Sequence, residues 1–128
     1  MRKLCIMLIL LWLLIPCLCF ATDTINENSR AILTLTFKDE AGVAVIPTTF
    51  KYRIDDVPSG TEMVSIQTIT PSTSIYDLTI VSATNRILNS SKPYEQRRVT
   101  VQWYVGATLV GTADYTYKVL NLNRVPFP

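Results

Sequence analysis

The chain has 128 residues, with 12 Lys and Arg against 10 Asp and Glu, 3 Cys and no His. That length suits one small domain, and an apolar content of 48% supports a packed core. Without His there is no Ser-His-Asp or Cys-His nucleophile, no imidazole base and no His-ligated metal.

Residues 1–21 stand apart. Arg2 and Lys3 precede an unbroken apolar run from Leu4 to Ile15, Pro16 interrupts it, and Cys17-Leu18-Cys19-Phe20-Ala21 follows. This order matches the basic, apolar and small-residue regions of a secretory signal peptide, with cleavage expected after Ala21. An uncleaved membrane anchor and a lipoprotein leader are the two alternatives, and an anchor would also place the domain outside the cytoplasm. Cys5, Cys17 and Cys19 are all in this leader. The expected mature chain therefore forms no disulfide and offers no soft metal site. Removing Arg2 and Lys3 from the 12 basic residues leaves ten, which matches the 10 acidic ones. A neutral domain has no global field to gather nucleic acid, and membrane contact is expected only through the leader.

Residues 22–30 are polar and read as a tether. Thr, Val and Ile then supply about a third of residues 22–128, which favours strands. Residues 31–37 alternate, with Ala31, Leu33, Leu35 and Phe37 on one face. A turn at 39–42 leads to a brief extended piece at 43–46. Residues 49–55 place Phe50, Tyr52 and Ile54 inward, and a turn follows at 57–60. At 62–69 the apolar residues clash in parity, which predicts a bulge or a strand covered on both faces.

Residues 75–81 turn Tyr76, Leu78 and Ile80 inward. A break at 83–93 allows one helical turn at 85–88. The strand at 97–105 directs Val99, Val101, Trp103 and Val105 inward and Arg98, Thr100, Gln102 and Tyr104 outward. Gly106-Ala107 fits a two-residue hairpin loop. The return strand at 108–119 sets Leu109, Ala113, Tyr115, Tyr117 and Val119 on one parity. Residues 123–128 form a proline-containing tail.

Six to seven short strands without a long amphipathic helix predict an all-β, antiparallel β-sandwich of immunoglobulin or fibronectin type III kind over residues 31–122, behind the hydrophobic leader helix. A partly closed barrel is the alternative. No catalytic residue, metal ligand or cofactor site is expected. Asp55-Asp56 reads as a turn-capping pair, with Glu62 beside it, since adjacent strand carboxylates diverge. No Gly-x-Ser-x-Gly elbow or phosphate loop is present. Asn89-Ser90-Ser91 is a formal glycosylation sequon. Trp103, Tyr115 and Tyr117 are assigned to the core, and Tyr94 to a tyrosine-corner position. The candidate interaction surface is Tyr104, Arg98 and Gln102, together with Phe127 of the tail, whose prolines suit a docking peptide.

Several phrases occur in a telling order: D-E-A-G-V-A-V-I-P-T-T-F-K-Y-R-I-D-D (39–56), S-G-T-E (59–62), N-R-I-L-N-S-S (85–91), Y-E-Q-R-R-V-T-V-Q (94–102) and Y-T-Y-K-V-L-N-L (115–122). Over about residues 31–122 the chain resembles small immunoglobulin-like or fibronectin-like proteins encoded among the structural genes of tailed bacteriophages. The resemblance implies a non-enzymatic assembly or adaptor module that contacts other virion proteins or copies of itself. It supplies no catalytic residues. The leader is a departure, because virion parts assemble in the cytoplasm. It suggests a phage- or prophage-encoded domain delivered to the periplasm or envelope, or a leader carried by a divergent member; the alternative is an exported bacterial binding or adhesion domain of the periplasm or cell surface.

Overall fold

The computed structural model describes residues 23–124, and the leader and the tail residue Phe127 lie outside them. Seven strands form: β1 (Thr24–Asn26), β2 (Ala31–Thr36), β3 (Thr49–Asp56), β4 (Glu62–Ile69), β5 (Ile75–Ile80), β6 (Tyr94–Val105) and β7 (Thr108–Leu120). They build a five-stranded sheet in the order β1-β7-β6-β3-β4 and a separate two-stranded sheet of β2 and β5. No ladder joins the two among the described residues, so the barrel alternative does not form. The all-β expectation therefore holds, with two packed sheets.

Period-two alternation decides which face each strand buries. In β2 the odd positions turn inward, and in β5 Leu78 and Ile80 are buried while Asp77 and Thr79 are exposed. The core is Phe37, Phe50, Ile54, Leu78, Ile80, Val99, Val101, Tyr117 and Val119. Phe50 joins the layers: its ring lies 5.1 Å from Phe37 and 5.0 Å, edge on, from Tyr76. The β3–β4 pair carries two register shifts between Tyr52 and Asp55. These are the irregularity that the mixed parity at 62–69 predicts.

Gly106 has φ +61°, and only residues 106 and 107 separate β6 from β7, as the hairpin reading requires. Just beyond that loop the ladder slips. Trp103 faces Gly111 while Tyr104 faces Leu109, so β7 gains one residue. The slip inverts parity at the start of β7. Leu109, expected to point inward, is instead 47% exposed, while Ala113, beyond the slip and opposite Val101, keeps the inward parity and is exposed where the gap between the sheets is open.

The slip also sets the Trp103 ring over Gly111. A Cβ there would lie 2.6 Å from ring atoms Cε2 and Cη2 and nearer still to Cζ2. Trp103 cannot easily yield, since its Nε1 donates to the Lys38 carbonyl at 3.0 Å and its ring packs on Phe37. Gly111→Ala is expected to cost about 1–3 kcal/mol through overpacking. The urea midpoint and a red shift of the Trp103 emission would report it.

Five other expectations need correction. Val105, expected inward, lies at the hairpin end of β6 and is 42% exposed. Residues 24–26, part of the predicted tether, form β1, which pairs with β7 in parallel, so the fold is not purely antiparallel. Ile25 drives this: it is the one apolar side chain in the segment and packs against the core. The extended piece at 43–46 reduces to a single bridge between Lys38 and Ala44. The helical turn is a 3₁₀ turn at Ser82–Asn85, earlier than expected. Tyr94 is not a corner residue. It is 43% exposed, with Lys118 Nζ 4.9 Å from its ring centroid.

Candidate functional site

Two regions concentrate polar chemistry. The first is the outer face of the large sheet. Arg98, Thr100, Gln102 and Tyr104 alternate along β6, opposite the inward Val99 and Val101. The register places Lys51 beside Gln102 and Arg53 beside Thr100 on β3. The face thus brings together three of the four sequence-predicted residues. Tyr104 is half-buried rather than free: its hydroxyl donates to Gln102 Oε1 at 3.3 Å, and Lys51 Nζ sits 5.3 Å from its ring centroid. Arg98 is exposed. A shallow hollow of about 340 Å³ is lined by Lys51, Arg53, Thr100 and Gln102 with Ile66, which is 62% exposed. Sequence reasoning missed Lys51, Arg53 and Ile66 because their placement depends on the β6–β3–β4 order.

The second region is a buried polar layer at one end of the sandwich. The inward row of β6 continues past Val99 to Arg97 and Glu95, both buried. Arg97 is completely enclosed and pairs with Asp56 and, at 2.8 Å, with Glu95 Oε2; its Nη2 also donates to the Arg86 carbonyl at 2.6 Å. Its Nε is the one buried side-chain donor without an acceptor among the described residues. Asp56 does cap the turn as expected, accepting the Ser59 amide at 3.0 Å and the Ser59 hydroxyl. Asp55 does not cap. It accepts from Arg53 Nε at 2.9 Å.

Glu95 holds the loop after the 3₁₀ turn by accepting the Leu88 and Asn89 amides. Nearby, Asn85 receives the Tyr117 hydroxyl at 2.7 Å and donates to Ser29 O, and Asn121 donates to the Ser90 and Lys92 carbonyls. Asp56 and Glu95 line a hollow of about 300 Å³ with Ser59, Thr61 and Lys92. All four of their carboxylate oxygens accept structural bonds. The hollow therefore presents no uncommitted base. Glu62 is exposed at the start of β4, and no group of three potential ligands gathers among the described residues. The sequon residue Asn89 is exposed, with its Oδ1 accepting from Ser91.

Burial alone would raise the Glu95 carboxyl, but the Leu88 amide, the Arg97 guanidinium and the Asn89 amide outweigh it and hold the group below its ordinary 4.5. A depressed folded value adds stability that is complete above the unfolded pKa and is lost as pH falls through the folded one. The urea midpoint is expected to stay level from neutral pH to about 5 and to fall below that. Glu95→Gln should lower the midpoint at neutral pH and flatten the acid fall.

Comparison with protein-family models, curated proteins and solved structures gave no match. No described helix is long and apolar enough to cross a membrane.

Proposed function

We propose that the chain is a non-enzymatic β-sandwich interaction module of immunoglobulin or fibronectin type III kind, of phage or prophage origin, acting as a virion-associated assembly or adaptor protein. The observation that carries this reading is the contrast between the two polar regions. The carboxylates beside Arg97 are consumed in holding loops, whereas Arg98, Gln102, Lys51 and Ile66 offer an accessible mixed face. Such a face, with an aromatic, arginines and an exposed aliphatic, suits contact with another protein. Neither a cofactor nor nucleic acid is part of the reading.

The leader pattern at 1–21 favours a second reading, an exported binding or adhesion domain of the periplasm or cell surface. Mass spectrometry of purified particles tests the first: the chain should be present in stoichiometric amount, and its absence there would overturn it. The N-terminal residue of native material separates the two. A start at Thr22 in the periplasmic or surface fraction supports the second reading.

A further inference from the structure

The two-stranded sheet leaves one side of β2 unpaired, and the chemistry of that edge is specific. The Phe37 amide donates to the Ser74 carbonyl at 2.8 Å, continuing the β2–β5 register by one pair. The odd positions of β2 therefore aim their N–H and C=O groups at β5. Those of Ile32, Thr34 and Thr36 aim away, and no described strand pairs with them. The edge lacks the usual guards: Ala31–Thr36 contains no charge, no Pro and no Gly, and Ile32 is 63% exposed.

Alongside this edge the gap between the sheets stays open. Two hollows of about 430 and 190 Å³ share Leu33, Thr34 and Tyr115 and form one trough. Its walls are mostly apolar, with Leu33, Leu35, Phe37, Trp103, Ala113 and Tyr115 along the upper part. Among the described residues β1 covers β7 only beside Lys118–Leu120, and no other described strand covers the rest of that wall. Asp23 is the acidic side chain at the end of the trough beside β1, whereas Asp114 pairs with Thr100 and so belongs to the outer face of the large sheet. Asp23 also accepts the Tyr115 hydroxyl, and burial together with Asp23 pushes that phenol up to about 12.

We propose that this trough accepts an extended strand of a partner protein as a third strand beside β2, with apolar side chains at alternate positions and a basic residue at the end beside Asp23. A backbone in extended form supplies donors and acceptors at the spacing of Ile32, Thr34 and Thr36, roughly 7 Å for every second residue. Alternate side chains then fill the apolar floor. The basic end answers Asp23. A two-stranded sheet is marginal, and a third strand would complete it. The inference rests on the interaction-module reading and names the partner's chemistry.

The test uses the full-length chain and a fluorescent synthetic peptide, Lys-Val-Thr-Val-Thr-Val-Lys, followed by anisotropy. Two further peptides carry N-methyl groups on the valine amides or on the threonine amides. In an added strand one set faces β2 and the other faces water. One methylated peptide should lose at least tenfold in affinity while the other stays within about threefold. Thr34→Pro removes an outward N–H that β5 does not use and should also cost at least tenfold, and the peptide series needs no protein variant. Exchanging Lys for Glu at the peptide ends should weaken binding roughly two- to fivefold, and Asp23→Asn should shrink that difference.

No binding, or equal loss with both methylated peptides, overturns the proposal. So does a concentration-dependent dimer that Thr34→Pro dissolves, which would assign the edge to a second copy. Binding that appears only after removal of the residues ahead of Asp23 would assign the trough to this chain's own leading segment, and overturns it too. Failure here with the chain still found in particles leaves the interaction-module reading standing.

Discussion

Arg97→Met is expected to cost about 3–5 kcal/mol, a large share of the roughly 5–15 kcal/mol that holds a small domain together. Methionine preserves the aliphatic volume, so the loss is electrostatic. Asp56 and Glu95 would stay buried with their guanidinium gone, and the Arg86 carbonyl would lose its donor. The cost of stranding two carboxylates exceeds the net worth of the ion pairs, because much of that worth is offset by desolvation. The expectation has a second arm: combining Arg97→Met with Glu95→Gln should recover part of the loss, since the amide leaves one fewer stranded charge. Urea midpoints at neutral pH would measure both. A single substitution costing less than about 1 kcal/mol would mean that water reaches the site.

The second large effect is expected at Phe50. Phe50→Ala should cost about 3–5 kcal/mol, from lost transfer energy plus the cavity left behind. Phe50 is fully buried and meets Phe37, Tyr52 and Tyr76, so its removal loosens both sheets at once. Phe50→Leu keeps most of the volume and should cost less than half as much. Chemical denaturation monitored by far-UV circular dichroism would rank the two. Equal costs would mean that the aromatic contacts outweigh the cavity.

Much of this architecture is legible in the residues wherever alternation is clean. β2, β5 and the middle of β6 follow directly from their apolar positions, and the hairpin follows from Gly106. The misplaced elements have tertiary causes. Leu109 points outward because the ladder slips where Trp103 covers Gly111, and no local pattern encodes that meeting. β1 is too short to show a period, and it forms because Ile25 finds the core edge and β7 offers a free side.

The candidate surface was legible in part. Parity places Arg98, Gln102 and Tyr104 outward, but their neighbours Lys51, Arg53 and Ile66 follow only from strand order. The buried layer left a trace in the sequence. Glu95 and Arg97 share the parity of Val99 and Val101: the strand read from residue 97 already has Arg97 on the inward row, and a start two residues earlier would have added Glu95. That Asp56 arrives to meet them depends on β3 lying beside β6.

The parallel pairing of β1 with β7 has a mechanical consequence. The Asp23 carbonyl accepts the Lys118 amide, and the Glu27 amide donates to the Leu120 carbonyl. With both strands running the same way, tension applied at residue 23 and at residue 124 draws them past each other lengthwise. The bonds between them are then loaded together in shear instead of opening one after another, so this short ladder would act as a latch for a domain held at both ends under pull.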